Sequence, residues 1–117
     1  MDSKQIGRLG EDIAAAHLER LGYRVLDRNW RDRAGEIDIV AMQGGVVVFV
    51  EVKTRRGVAR GLPAEAVNAD KLERMRRCAL AWLSEHRIRN SGVRLDVIAI
   101  LVEEDHHTVT HLQAVGQ

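Results

Sequence analysis

Apolar residues recur along this chain with two different periods. Ile6, Leu9, Ile13, Leu18 and Leu21 follow near-helical spacing, which predicts a helix over residues 4–21 with Asp2 or Ser3 as its N-cap and Gly22 as its stop. Gly7 and Gly10 inside that helix each cost about 1 kcal/mol relative to Ala, so close approach of another segment is the expected reason for them. From Tyr23 the period shortens to two. Tyr23–Trp30 reads as a strand, Arg31-Asp32-Arg33-Ala34 as a charged turn, and Gly35–Gln43 with Val46–Lys53 as two strands joined at Gly44-Gly45. Residues 54–62 form a Gly- and Arg-rich loop, and Pro63–Val67 a short helical turn. Asn68 or Asp70 then caps a second helix running to about Ile88, with Leu72, Met75, Ala79, Trp82 and Leu83 on its apolar face. Asn90-Ser91-Gly92 breaks it. Val93–Val102 is an almost unbroken apolar run that suits a strand buried on both faces, and after the turn at Glu103-Glu104-Asp105, His107–Leu112 reads as a short edge strand. The order helix, three strands, helix, two strands predicts an α/β fold, a mixed β-sheet flanked by helices.

The Gly44-Gly45 pair suits a two-residue turn that needs positive φ. Gln43 then pairs with Val46, which places Asp38 opposite Glu51 and Glu36 opposite Lys53. Alternation puts these four charged residues on one face with Val47 and Phe49, and Ile37, Ile39, Val48, Val50 and Val52 on the other. Carboxylates directly opposite each other repel, so Asp38 and Glu51 with Lys53 beside them point to a bound divalent cation. Oxygen-only ligands suit Mg2+ or Mn2+, and the lack of Cys and His in the set argues against zinc. The same alternation also fits an exposed hairpin face carrying two cross-strand salt bridges.

The length of 117 residues fits a single domain over 1–117 with one core. Its net charge of +1 hides a local imbalance. Arg55, Arg56 and Arg60 lie in 54–62 without an acid, and residues 71–89 carry six cations against two acids, with Lys71, Arg74 and Arg77 at spacing three. A polyanion such as DNA is the partner that these clusters would grip; a solvated helix face and loop is the plainer account of them. Cys78, the only cysteine, reads as a buried thiol. The N-terminal residues lack the apolar stretch of a signal peptide and no apolar run approaches a membrane span, so a cytoplasmic location is expected and a membrane one is not. Trp30 and Trp82 read as core residues, Asp105-His106-His107 with His111 as an exposed turn rather than a metal site, and Asp96 as the ion-pair partner of Arg94.

Asp38, twelve intervening residues and then Glu51-Val52-Lys53 resemble the PD-(D/E)xK signature of the restriction-endonuclease-like superfamily, whose common core has the element order read above. The chain is more similar still to the YraN-like family of small bacterial proteins, described as predicted endonucleases related to Holliday-junction resolvases. The similarity rests on Gly7-x-x-Gly10-Glu11, Gly22-Tyr23, Asn29-Trp30-Arg31, Gly35-Glu36-Ile37-Asp38, Phe49 to Arg55, and Arg94-Leu95-Asp96-Val97, an ordered set that spans almost the whole chain. Ile37 stands where the superfamily name has Pro, a variation that this family shares. The resemblance implies that Asp38 and Glu51 ligate the metal with the Val52 carbonyl, that Lys53 is the catalytic lysine, and that Glu11 is an accessory carboxylate from the first helix. It also implies a homodimer, since junction-cutting relatives act in pairs. Glu36 is left to pair with Lys53 or to lie on the surface. A Mg2+- or Mn2+-dependent nuclease acting on DNA, branched DNA included, is the function expected. A non-catalytic nucleic-acid-binding module on the same fold is the alternative, and a protein-interaction domain a third.

Overall fold

The computed structural model describes residues 1–57 and 68–116. Its elements are α1 (Ser3–Arg20), β1 (Arg24–Asp32), β2 (Gly35–Gln43), β3 (Val46–Arg56), α2 (Ala69–His86), β4 (Gly92–Val102) and β5 (His107–Leu112), the order that the sequence predicts. Thr54–Arg56, expected in the 54–62 loop, instead extend β3 by pairing with Ile100–Val102 of β4; the rest of that loop beyond Gly57 and the turn at Pro63–Val67 lie outside the described residues. The five strands form one sheet in the order β1-β2-β3-β4-β5. Among the described residues only β3 and β4 run parallel, because the connection between them carries α2; the other pairs are antiparallel. Among the described residues no helix is long and apolar enough to cross a membrane.

Each helix covers one face of the sheet. On one side Ala14, Ala15 and Leu18 of α1 pack on Ile39, Ala41, Val48, Val50, Ile98 and Ile100. On the other Met75, Cys78, Ala79 and Trp82 of α2 pack on Val40, Val47, Phe49 and Leu95. Cys78 is buried, as expected, and burial pushes its thiol up. Trp82 is fully buried with its Nε1–H donating to Asp27 at 2.9 Å, and Trp30 is half-buried against the same layer. Gly10 explains how closely α1 approaches: a Cβ there would run into the Thr54 side chain of β3. Both helices start on the expected caps. Asp2 and Gln5 form a reciprocal capping box on α1, and the Asn68 side chain accepts from the Lys71 N–H on α2.

The first hairpin is tighter than predicted. β1 runs on to Asp32, so Arg31 and Asp32 belong to the strand, paired with Glu36 and Gly35, and only Arg33 and Ala34 make the turn. Gly35 takes φ +135° there, a conformation side chains rarely adopt. Under the C-terminal part of α1, Asp96 is fully buried and bonded to Arg94, His111 and the Ala114 N–H. The ion pair with Arg94 was expected; the contact with His111, which removes that residue from the exposed turn, was not.

Candidate active site

At one residue, Asp38, β2 drops out of the ladders with both its neighbours. The β2–β3 register runs from Gln43 with Val46 to Ile39 with Val50, as the Gly-Gly turn predicts, and stops there. The β1–β2 ladder pairs Arg28 with Ile39 and Trp30 with Ile37, skipping the Asn29–Asp38 rung without changing register. Asn29 has φ +55°. Neighbouring side chains in a regular strand point to opposite faces, yet Arg28 and Asn29 both donate to Glu11 of α1. On either side of them, Asp27 and Trp30 bond Trp82 and Glu85 of α2. On β2, Ile39 lies in the α1 layer while Val40 and Ile37 lie in the α2 layer, and Asp38 opens into a cleft that Glu11 also lines. The skipped rung therefore shifts the alternation of both strands by one residue.

That shift corrects the hairpin geometry expected from strict alternation. Ile37 does not share a face with Ile39. Asp38 and Glu51 are not a ladder pair, and Glu36 does not face Lys53; it lies opposite Arg31 on β1, with Arg31 Nε 2.9 Å from Glu36 Oε2. Asp38 Oδ2 instead accepts the Val52 N–H at 2.7 Å, replacing the backbone acceptor that the ended ladder no longer supplies.

The electrostatics of the cluster are unbalanced. Burial pushes the Asp38 carboxyl up to about 7; the Val52 N–H opposes this, and the charges of Glu51, Glu11 and Glu36 reinforce it. Each of those three neighbours has its own cation. Lys71 Nζ is 2.8 Å from Glu51, Arg28 Nη2 is 3.1 Å from Glu11, and Arg31 holds Glu36. Among the described residues no cation pairs with Asp38.

Glu11, Asp38, Val52, Lys53 and Arg56 line one cleft between the N-terminal half of α1 and the ends of β2 and β3. Glu51 is adjacent, on the α2 side, held by Lys71. Arg56 donates to the Met1 carbonyl. Arg55 is exposed at the end of β3, and Arg74 and Arg77 are exposed on α2; none of the three is among the residues lining the cleft. Sequence reasoning missed Lys4 and Arg8, which line the cleft from successive turns of α1, and Arg28 and Asn29, which hold Glu11. An Asn within a strand pattern was the available signal, since strands disfavour that residue.

Among the described residues no three His, Cys, Asp or Glu side chains are gathered into a metal cage. Mg2+ does not require one, because it is commonly held by one or two carboxylates with water and substrate phosphate completing its shell. A set of carboxylate oxygens in which burial and three like charges keep one carboxyl from ionising fits such an ion.

The model of the family described as "Uncharacterised protein family UPF0102" matches residues 10–100. A UPF0102 protein of Arthrobacter sp. (strain FB24) is 48% identical over 112 residues, covering 95% of both chains. Another, of Rhodococcus opacus (strain B4), is 50% identical over 97 residues, covering 83% of this chain and 82% of its own. A third, of Geobacter sulfurreducens, is 51% identical over 100 residues, covering 86% and 78%.

Proposed function

Since this chain belongs to the UPF0102 family, the family to which its sequence motifs pointed, we propose a function from its cleft: it is a divalent-metal-dependent nuclease that hydrolyses DNA phosphodiester bonds, branched DNA being the favoured substrate. One observation carries this reading. Asp38 is pushed up to about 7 by burial and by three neighbouring carboxylates, in a cleft that Asp2, Glu11 and Glu36 line together with the cations Lys4, Arg8, Arg31, Lys53 and Arg56. A cation beside Asp38 would relieve the repulsion, and a phosphate backbone would answer the surrounding positive charge.

In this reading Asp38 holds Mg2+ or Mn2+ together with Glu51, whose charge reaches Asp38 and whose carboxylate would exchange Lys71 for the ion, with the Val52 carbonyl and Glu11 assisting. Bound there, the ion supplies Lewis-acid polarisation of a phosphoryl oxygen. Lys53 is half-buried and, among the described residues, makes no ion pair, so its ammonium is available to offset charge growing on the phosphate. Lys4, Arg8 and Arg56 grip the flanking phosphates, contacts that position a strand without reading its sequence. A second copy of the chain would serve the second strand, and a cytoplasmic site of action agrees with this substrate.

The test is cleavage of labelled duplex, single-strand, flap and four-way-junction DNA in Mg2+ and in Mn2+, with Asp38→Ala and Lys53→Ala purified identically. Cleavage by the wild type alone is expected; cleavage retained in Asp38→Ala would overturn the reading. The lack of a preassembled carboxylate cage among the described residues favours, as the second reading, a non-catalytic nucleic-acid-binding module. That module would show salt-dependent binding without turnover under either metal.

A further inference from the structure

Asn29 has no part in the reading above, yet the site is arranged around it. Left-handed backbone is unfavourable for residues with a Cβ, and Asn bears it better than most. Two consequences follow from φ +55° at this position. The rung with Asp38 is lost while register is kept on both sides, so Arg28, Asn29, Asp38 and Ile39 all come to the α1 side. The Asn29 amide also comes within reach of α1, and its Nδ2 donates to Glu11 Oε1 at 2.7 Å. Arg28 donates to that same oxygen through Nε at 3.2 Å and Nη2 at 3.1 Å. All three donors meet on Oε1, which leaves Oε2 without a protein donor among the described residues.

Resting on the nuclease reading, we infer that Asn29 is a positioning residue of this site: its left-handed backbone turns it to the α1 side together with Asp38, and its amide fixes Glu11 beside them. It acts through Glu11 and touches neither cation nor substrate. Removing a donor that orients a metal-binding carboxylate typically changes metal affinity by about 10–100-fold.

A kink serving the sheet alone would need the backbone conformation but not the amide, and Gly supplies that conformation freely. Asn29→Gly therefore separates the two roles. Mn2+ binding to the metal-free protein, measured by calorimetry, is expected to weaken about tenfold or more in Asn29→Gly, with the unfolding midpoint within a few degrees of wild type. Affinity within twofold of wild type in Asn29→Gly would overturn the inference. Should the wild type bind no Mn2+, the nuclease reading fails and the unfolding midpoints decide the inference alone. Asn29→Gly must then shift the midpoint differently in the wild-type background and in Glu11→Ala. Equal shifts in both backgrounds would show that the amide does not hold Glu11.

Discussion

Asp38→Asn should stabilise the metal-free protein at alkaline pH and leave it unchanged in acid. The Asp38 carboxyl ionises near 3.8 when unfolded and near 7 when folded. Between those values the folded protein holds a proton that the unfolded chain has released, so stability falls as pH rises through the window and the full cost is present above it. A rise of about three units at about 1.4 kcal/mol each is about 4 kcal/mol at pH 8. Asparagine removes the charge while keeping an oxygen that can accept the Val52 N–H, a bond of 2.7 Å in the wild type. A gain of about 2–4 kcal/mol would raise the unfolding midpoint of a domain this size by about 8–16 °C. The assay is thermal unfolding of both proteins from pH 4 to pH 8 in chelator, read as the difference between them, so that groups common to both, such as His17, cancel. The difference should be largest at pH 8 and vanish near pH 4. Mg2+ added at pH 8 should raise the wild-type midpoint and leave Asp38→Asn unmoved. Parallel pH profiles, or an Asn variant less stable than wild type at pH 8, would refute the electrostatic argument and remove the main support for a cation at this site.

Two further predictions concern the walls of the cleft. Lys4→Gln with Arg8→Gln should weaken DNA binding and make the slope of log affinity against log salt shallower by about 1–2; Arg74→Gln with Arg77→Gln, lying outside the cleft, should change that slope by less than about 0.5, as titration by fluorescence anisotropy over a salt series would show. Gly10→Ala should destabilise by about 1–3 kcal/mol through overpacking despite better helix propensity, because the new Cβ would overlap Thr54, whose Cγ2 and Cβ lie at 2.7 and 2.8 Å. Thr54→Ala should recover part of that loss in denaturant titration.

Where one local rule sufficed, the sequence was legible. Both helices, the Gly44-Gly45 turn with its register down to Ile39–Val50, and the edge strand His107–Leu112 follow from periodicity and caps, and they stand where those signals put them. Extending the same alternation through Asp38 failed, because a period of two carries no trace of a rung skipped by both strands at once. Asp38, Val52 and Lys53 still reach one cleft, but Glu51 lies on the α2 side with Lys71 as its partner. Spacing placed Lys71 in a row with Arg74 and Arg77; the tertiary contact with Glu51 sets its ammonium apart from them. Glu11 was approachable only through family resemblance, since its position in the cleft depends on Arg28 and Asn29 from a different element.

Asp38 and Asp96 show why sequence alone did not rank the two aspartates. Each sits in an apolar strand, and burial pushes both carboxyls upward. Around Asp96, His111 Nε2 at 2.7 Å, two Arg94 nitrogens at 2.9 Å and the Ala114 N–H at 3.0 Å outweigh burial and pull it below the usual carboxylate range. Its hydrogen bonding is complete within the protein, which assigns it to the fold. Among the described residues the Asp38 carboxylate has one backbone donor, at 2.7 Å, and three like charges, and it opens onto a cleft. Selection for stability alone would replace such a residue with an uncharged one, as the predicted gain in Asp38→Asn expresses. A carboxyl that no cation pairs with among the described residues, in a cleft that Lys53 also lines, is what separates Asp38 from Asp96, and it is the feature that the proposed cation would answer.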